Sequence, residues 1–162
     1  MKKIILLFIL VVVFLLGSCA SMDNTNYDNS LMILLNENET SSRNDAFVYY
    51  RFKGQNLTLK INVMEKYQKI NYLKPQQYMI TNFEAMYIND DSIAQTYPMP
   101  VKFELLSNTV FIFPYKTVTT MKNSKQWINL VKLTELDYKK CEEYILTKER
   151  YNNLQVVRGK VQ

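Results

Sequence analysis

Two cysteines, no histidine and fifteen carboxylates bound the chemistry open to this 162-residue chain. Without histidine there is no Ser-His-Asp triad, no Cys-His pair and no histidine-ligated zinc or haem. Two cysteines are too few for a four-cysteine zinc or iron–sulfur site. The glycines beyond residue 18 are Gly54 and Gly159 alone, so a glycine-rich phosphate loop is excluded. Glu37 with Glu39, and Asp90 with Asp91, are the paired carboxylates that could hold calcium or face a sugar ring in a glycosidase. Both pairs fall in polar stretches that read as loops, where acids serve solvation and turn formation, and neither has EF-hand spacing. Cys141 has no histidine to activate it and reads as a small buried hydrophobe. The expectation is no catalytic residue, no metal and no cofactor.

Cys19 is different. Met1-Lys2-Lys3 gives a positive start, and Ile4 to Leu16 is thirteen residues without a polar side chain. As a helix that run is about 20 Å long, short of the roughly 30 Å hydrocarbon core, so it reads as an export signal rather than a span. It ends on Leu16-Gly17-Ser18-Cys19, which resembles the lipobox of bacterial lipoproteins: an apolar residue and two small ones before an obligatory cysteine. The resemblance implies a lipoprotein signal peptide over 1–18 and acylation (palmitate among the chains) of Cys19 as the mature first residue. Several acyl chains, at about 0.8 kcal/mol per buried methylene, anchor a protein stably to a membrane. Ala20 stands where an aspartate marks retention in the inner membrane, which implies the outer membrane where the cell has one.

Loss of Lys2 and Lys3 with the signal lowers the formal charge from +5 to +3. The remaining basic residues are scattered, and Lys139-Lys140 is followed at once by Glu142-Glu143, so nucleic acid is rejected as a partner. If Cys19 is acylated, Cys141 has no internal disulfide partner, and the fold must stand on its apolar core.

The elements expected to carry these residues are mostly strands. Residues 19–30, the lipidated cysteine and the polar stretch to Ser30, read as a tether. A single domain over 31–162 follows. Leu31 to Leu35 is a continuous apolar run. Ala46 to Lys53 and Leu57 to Val63 form a hairpin across Gly54-Gln55-Asn56, the second strand alternating Leu57, Leu59, Ile61 and Val63 against polar residues. Lys66 to Leu73 and Tyr78 to Asn89 are further strands, followed by a turn at Asn89 to Ser92. Residues 93–100, with Pro98 and Pro100, read as a loop. Val101 to Leu105, Thr109 to Tyr115 and Trp127 to Leu133 complete about eight strands. Thr134 with Asp137 resembles a capping box opening a helix over 134–150. This predicts a mainly antiparallel β-sandwich of seven to eight strands with one C-terminal helix, the alternative being a lipocalin-like barrel.

The phrase Leu73-Lys74-Pro75-Gln76-Gln77-Tyr78-Met79-Ile80 resembles the leucine-(proline)-glycine-x-tyrosine phrase that introduces a strand in transthyretin-like and carboxypeptidase-regulatory-like sandwiches. Glutamine stands where those domains carry glycine. With the lipobox, the outline is that of a small lipoprotein of the cell envelope. The resemblance implies a non-enzymatic binding or structural module with an envelope protein or polymer as partner; the alternative is a carboxylate-dependent envelope enzyme acting on glycan or cell wall. Twelve tyrosines, eight phenylalanines and one tryptophan serve first as core and cross-strand pairs. Tyr49-Tyr50, Phe111 and Phe113 are the aromatics that could line a groove, and strand alternation puts one of Tyr49 and Tyr50 outward.

Overall fold

The computed structural model describes residues 30–38, 46–54, 56–87, 95–122 and 125–160. The export signal, Cys19, the tether up to residue 29, Glu39 and the turn at Asn89 to Ser92 lie outside them. Among the described residues there are nine strands and one α-helix: β1 (Ser30–Asn38), β2 (Ala46–Phe52), β3 (Thr58–Asn62), β4 (Tyr67–Leu73), β5 (Gln77–Tyr87), β6 (Gln95–Glu104), β7 (Thr109–Lys122), β8 (Lys125–Lys132), α1 (Glu135–Leu146), a 3₁₀ turn (Glu149–Tyr151) and β9 (Gln155–Arg158). One sheet runs β4-β1-β7-β8, with β9 also on β7; the other runs β3-β2-β5-β6. Among the described residues no ladder joins the two sheets, so the sandwich is the architecture and the closed barrel is set aside.

Alternation builds the core. Met32 and Leu34 of β1, Ile70 and Leu73 of β4, Phe111 and Phe113 of β7 and Ile128 of β8 face Val48, Tyr50, Leu59, Ile61, Ile80, Phe83, Val101 and Phe103 of the other sheet. Burying each such side chain contributes about 1.5–3 kcal/mol. Tyr50 lies edge-on to Phe83 and Phe113, with ring centroids 5.7 and 5.6 Å away. The other parity of β1 and β7 meets the helix: Leu31, Ile33, Leu35, Val110 and Ile112 pack with Cys141, Ile145 and Tyr151. That is why Leu31 to Leu35 is apolar without a break, since β1 is covered on both faces. Ser30 belongs to β1 rather than to a tether; it is buried and donates to the Leu73 carbonyl.

Two pairings are parallel, β1 with β7 and β7 with β9; the others are antiparallel. β7 serves two neighbours along one edge. Residues 109–112 pair with β9 and residues 115–122 with β8. The handover sits at Pro114, where a ladder N–H is missing. Against β1 the register moves from Ile33↔Ile112 to Leu35↔Lys116, two extra residues on β7, so side-chain parity survives the irregularity. The strand thus continues well past Tyr115.

The expected loop over 93–100 is corrected: residues 95–100 are the first part of β6. Both prolines are tolerated because β6 is an edge strand. The helix is shorter than the expected 134–150, with Thr134 as its N-cap, and the expected capping box is present. The segment after Tyr151 holds β9. It is fastened by Arg158, whose guanidinium meets Glu142 at 2.6 Å and Glu135 at 2.9 Å, and by the Tyr138 hydroxyl, which donates to the Gly159 carbonyl.

Candidate functional site

A cleft of about 480 Å³ lies between edge strands β6 and β8. Phe83, Met99, Val101, Tyr115, Ile128 and Leu130 line it, together with Pro98, Pro100 and Asn129. Its volume falls in the range of small-ligand pockets, roughly 300–1,000 Å³. The sheet geometry opens it. Between Ile80↔Val101 and Asn82↔Pro98, β6 carries Met99 and Pro100 against the single Thr81 of β5. Against β2, β5 itself carries one extra residue, because Arg51 pairs with Asn82 and Phe52 with Ile80. These bulges reverse the parity of β5, so that Tyr78 and Ile80 face inward before the break, and Phe83 and Ala85 after it. Bulges of this kind bend a strand and re-aim its side chains.

A second, more polar cleft of about 310 Å³ is lined by Lys53, Gln77, Tyr78, Met79, Lys102, Phe103 and Glu104. The first cleft has no carboxylate and the second only Glu104.

The titratable cluster lies elsewhere, between α1 and the ends of β1 and β7. Lys116 Nζ is 2.7 Å from Glu37 and 3.1 Å from Asp137; Lys140 Nζ is 3.6 and 3.9 Å from the same two carboxylates. Asp137 also accepts from the Thr134 N–H at 2.9 Å and hydroxyl at 2.8 Å. Burial pushes the Asp137 carboxyl up, but the Thr134 hydrogen bonds and the Lys116 ammonium outweigh it and hold it below the usual carboxylate range. Burial likewise lowers Lys116, and its two carboxylate partners more than reverse that. Beside this cluster Asn36 bridges three segments, accepting from Thr117 and donating to the Asn62 and Glu65 carbonyls. Every member has a structural partner, and the cluster fixes the helix to the sheet.

Glu37 is therefore an ion-pair partner, while Glu39, Asp90 and Asp91 lie outside the described residues along with Cys19. Cys141 is buried beneath α1, and burial, aided by Asp137 and Glu142, pushes its thiol up to about 12. Tyr50, Phe111 and Phe113 are core residues, whereas Tyr49 is the half-buried neighbour on the outward face. None of these aromatics reaches the cleft wall. The residues that do, Met99 and Val101 above all, carried a readable signal: apolar side chains recur at 99, 101, 103 and 105. Pro98 and Pro100 obscured it.

Among the described residues no group of three or more acidic or cysteine side chains could hold a metal ion, and no helix is long and apolar enough to cross a membrane. No family model matches the chain, and no curated protein or solved structure does.

Proposed function

We propose that this chain is a lipid-anchored, non-enzymatic module of the bacterial cell envelope, exported by residues 1–18, held by acylated Cys19, and binding an envelope component at the β6/β8 cleft. The outer membrane is its proposed place where the cell has one, on the strength of Ala20. The address rests on the Leu16-Gly17-Ser18-Cys19 phrase at the end of an apolar run of signal-peptide length. The binding role rests on one observation, a 480 Å³ cleft walled by apolar side chains. The rival reading, a carboxylate-dependent glycan hydrolase, calls for two acids roughly 5–9 Å apart in one cleft. The linings described here favour binding over that chemistry.

The transthyretin-like outline belongs to the same proposal. Its support is the behaviour of the Leu73 to Tyr78 phrase: Leu73 is in the core, and the Tyr78 hydroxyl donates back to the Lys74 carbonyl at 2.9 Å. A tyrosine at the start of a strand, bonded to backbone a few residues upstream, is a recurrent corner of β-sandwiches.

Two measurements test the proposal. The wild type should incorporate labelled palmitate and enter the detergent phase, and Cys19→Ser should do neither. A photo-crosslinking residue at position 99 should capture an envelope component in living cells, and the same probe at exposed Glu149 should not. An anchored Cys19→Ser protein defeats the address; equal capture from both positions defeats the cleft.

A further inference from the structure

The cleft lies beside a sheet edge, and the edge strands of this sandwich are not alike: β9 has only four residues. β3 has only five residues, and Lys60 points outward from it. β4 breaks register against β1 between Leu73 and Ile70. β6 carries Pro98 and Pro100 and a bulge. Shortness, charge, proline and bulges are the devices that keep edges from pairing with other chains. β8 has eight residues, no proline and no glycine, and an unbroken register on β7 from Tyr115↔Lys132 to Lys122↔Lys125. Among the described residues its other side has no strand. Ile128 and Leu130 of the same strand form part of the cleft wall, and Trp127 and Val131 stand exposed on the opposite face.

Charge selects what could pair there. β8 reads Lys-Gln-Trp-Ile-Asn-Leu-Val-Lys, with a lysine at each end and no carboxylate. Antiparallel pairing with a second copy about the strand centre would bring Lys132 of one chain opposite Lys125 of the other, and like charges directly opposite are destabilising. Lys132 is exposed and has no carboxylate partner among the described residues. A strand with acidic ends carries the sign opposite to the lysine that stands at each end of the β8 sequence. A strand with apolar residues at alternate positions would place those side chains over the cleft while its backbone pairs with β8.

We propose that β8 is an acceptor edge for an extended segment of a partner protein whose apolar residues alternate between acidic ends. The inference rests on the binding reading above and names its partner class. Backbone pairing supplies the attachment, the cleft selects the inward side chains, and the terminal lysines set the sign.

The test uses the full chain carrying Cys19→Ser and the peptide Asp-Thr-Val-Thr-Leu-Thr-Ile-Asp, followed by anisotropy and by the emission of Trp127, the single tryptophan. The same peptide with lysine ends should bind about tenfold more weakly, and N-methylation of alternate amides should cost at least about tenfold. Lys132→Glu, an exposed change, should reduce the preference for acidic ends about threefold or more. Equal binding of acidic and basic peptides, or full binding after N-methylation, overturns the proposal. So does failure of every peptide. In that case an anilinonaphthalene sulfonate dye separates the two readings: binding abolished by Leu130→Asp leaves the cleft reading standing, and no dye binding removes both.

Discussion

Lys116→Met tests whether the ion cluster under α1 holds the helix to the sheet. Lys116 is 12% exposed and Asp137 3%, so their 3.1 Å contact is largely removed from water. At an effective dielectric near 20, two unit charges at that distance attract by about 5 kcal/mol before desolvation is counted. Removing one partner of a buried pair costs about 3–5 kcal/mol, because the other charge stays behind. Here Asp137 keeps its Thr134 hydrogen bonds, and Lys140 at 3.9 Å can move closer. The expected loss is therefore about 2–3 kcal/mol at pH 7, or roughly 4–10 °C in Tm for a domain of this size. The assay is urea unfolding of the Cys19→Ser chain followed by circular dichroism across pH. Because the folded Asp137 value is depressed, its contribution is present above the unfolded carboxylate pKa and lost as pH falls through the folded value. The gap between wild type and variant should accordingly narrow below about pH 4. Adding Asp137→Asn to Lys116→Met removes the stranded charge while keeping an acceptor for Thr134, and should recover about 1 kcal/mol. A gap under about 0.5 kcal/mol at pH 7, or one that stays constant into acid, would refute the reasoning.

Gly159→Ala should destabilise by about 1–3 kcal/mol, since the new Cβ would stand 2.6 Å from Pro114 Cδ, 2.7 Å from the Ile112 carbonyl oxygen and 2.8 Å from Phe111 Cζ. Hydrogen exchange should show β9 loosening first, and an unchanged exchange pattern with unchanged Tm counts against the close packing at the β7 handover. Cys141, with its thiol pushed up to about 12, should resist iodoacetamide at pH 8 in the folded Cys19→Ser chain and react fully in guanidinium. Rapid labelling of the native protein would show that α1 does not cover the thiol as described.

What the sequence disclosed and what it hid follow one physical line, the difference between parity and partnership. Parity is local. The alternation of Leu57, Leu59, Ile61 and Val63 marked a half-buried strand and the unbroken Leu31 to Leu35 run marked a strand; both are strands, and the structure adds that the second is covered on both faces. Thr134 and Asp137 announced the helix start because a capping box needs only residues three apart. Partnership is not local. Nothing in Thr109 to Lys122 says that one edge of β7 receives β9 and then β8, and two-residue register shifts leave no trace in alternation. One-residue shifts do leave a trace. In β5 the inward residues step from Tyr78 and Ile80 to Phe83 and Ala85, a spacing of three where two is the rule. That step is the bulge that bends the sheet beside Met99, so the site was written in the sequence as an irregularity within a strand. The prolines that made 93–100 look like a loop belong to the same edge, for an edge strand is where a sheet admits them. The β6 side of the cleft thus arises from the two features a pattern of alternation reads as breaks.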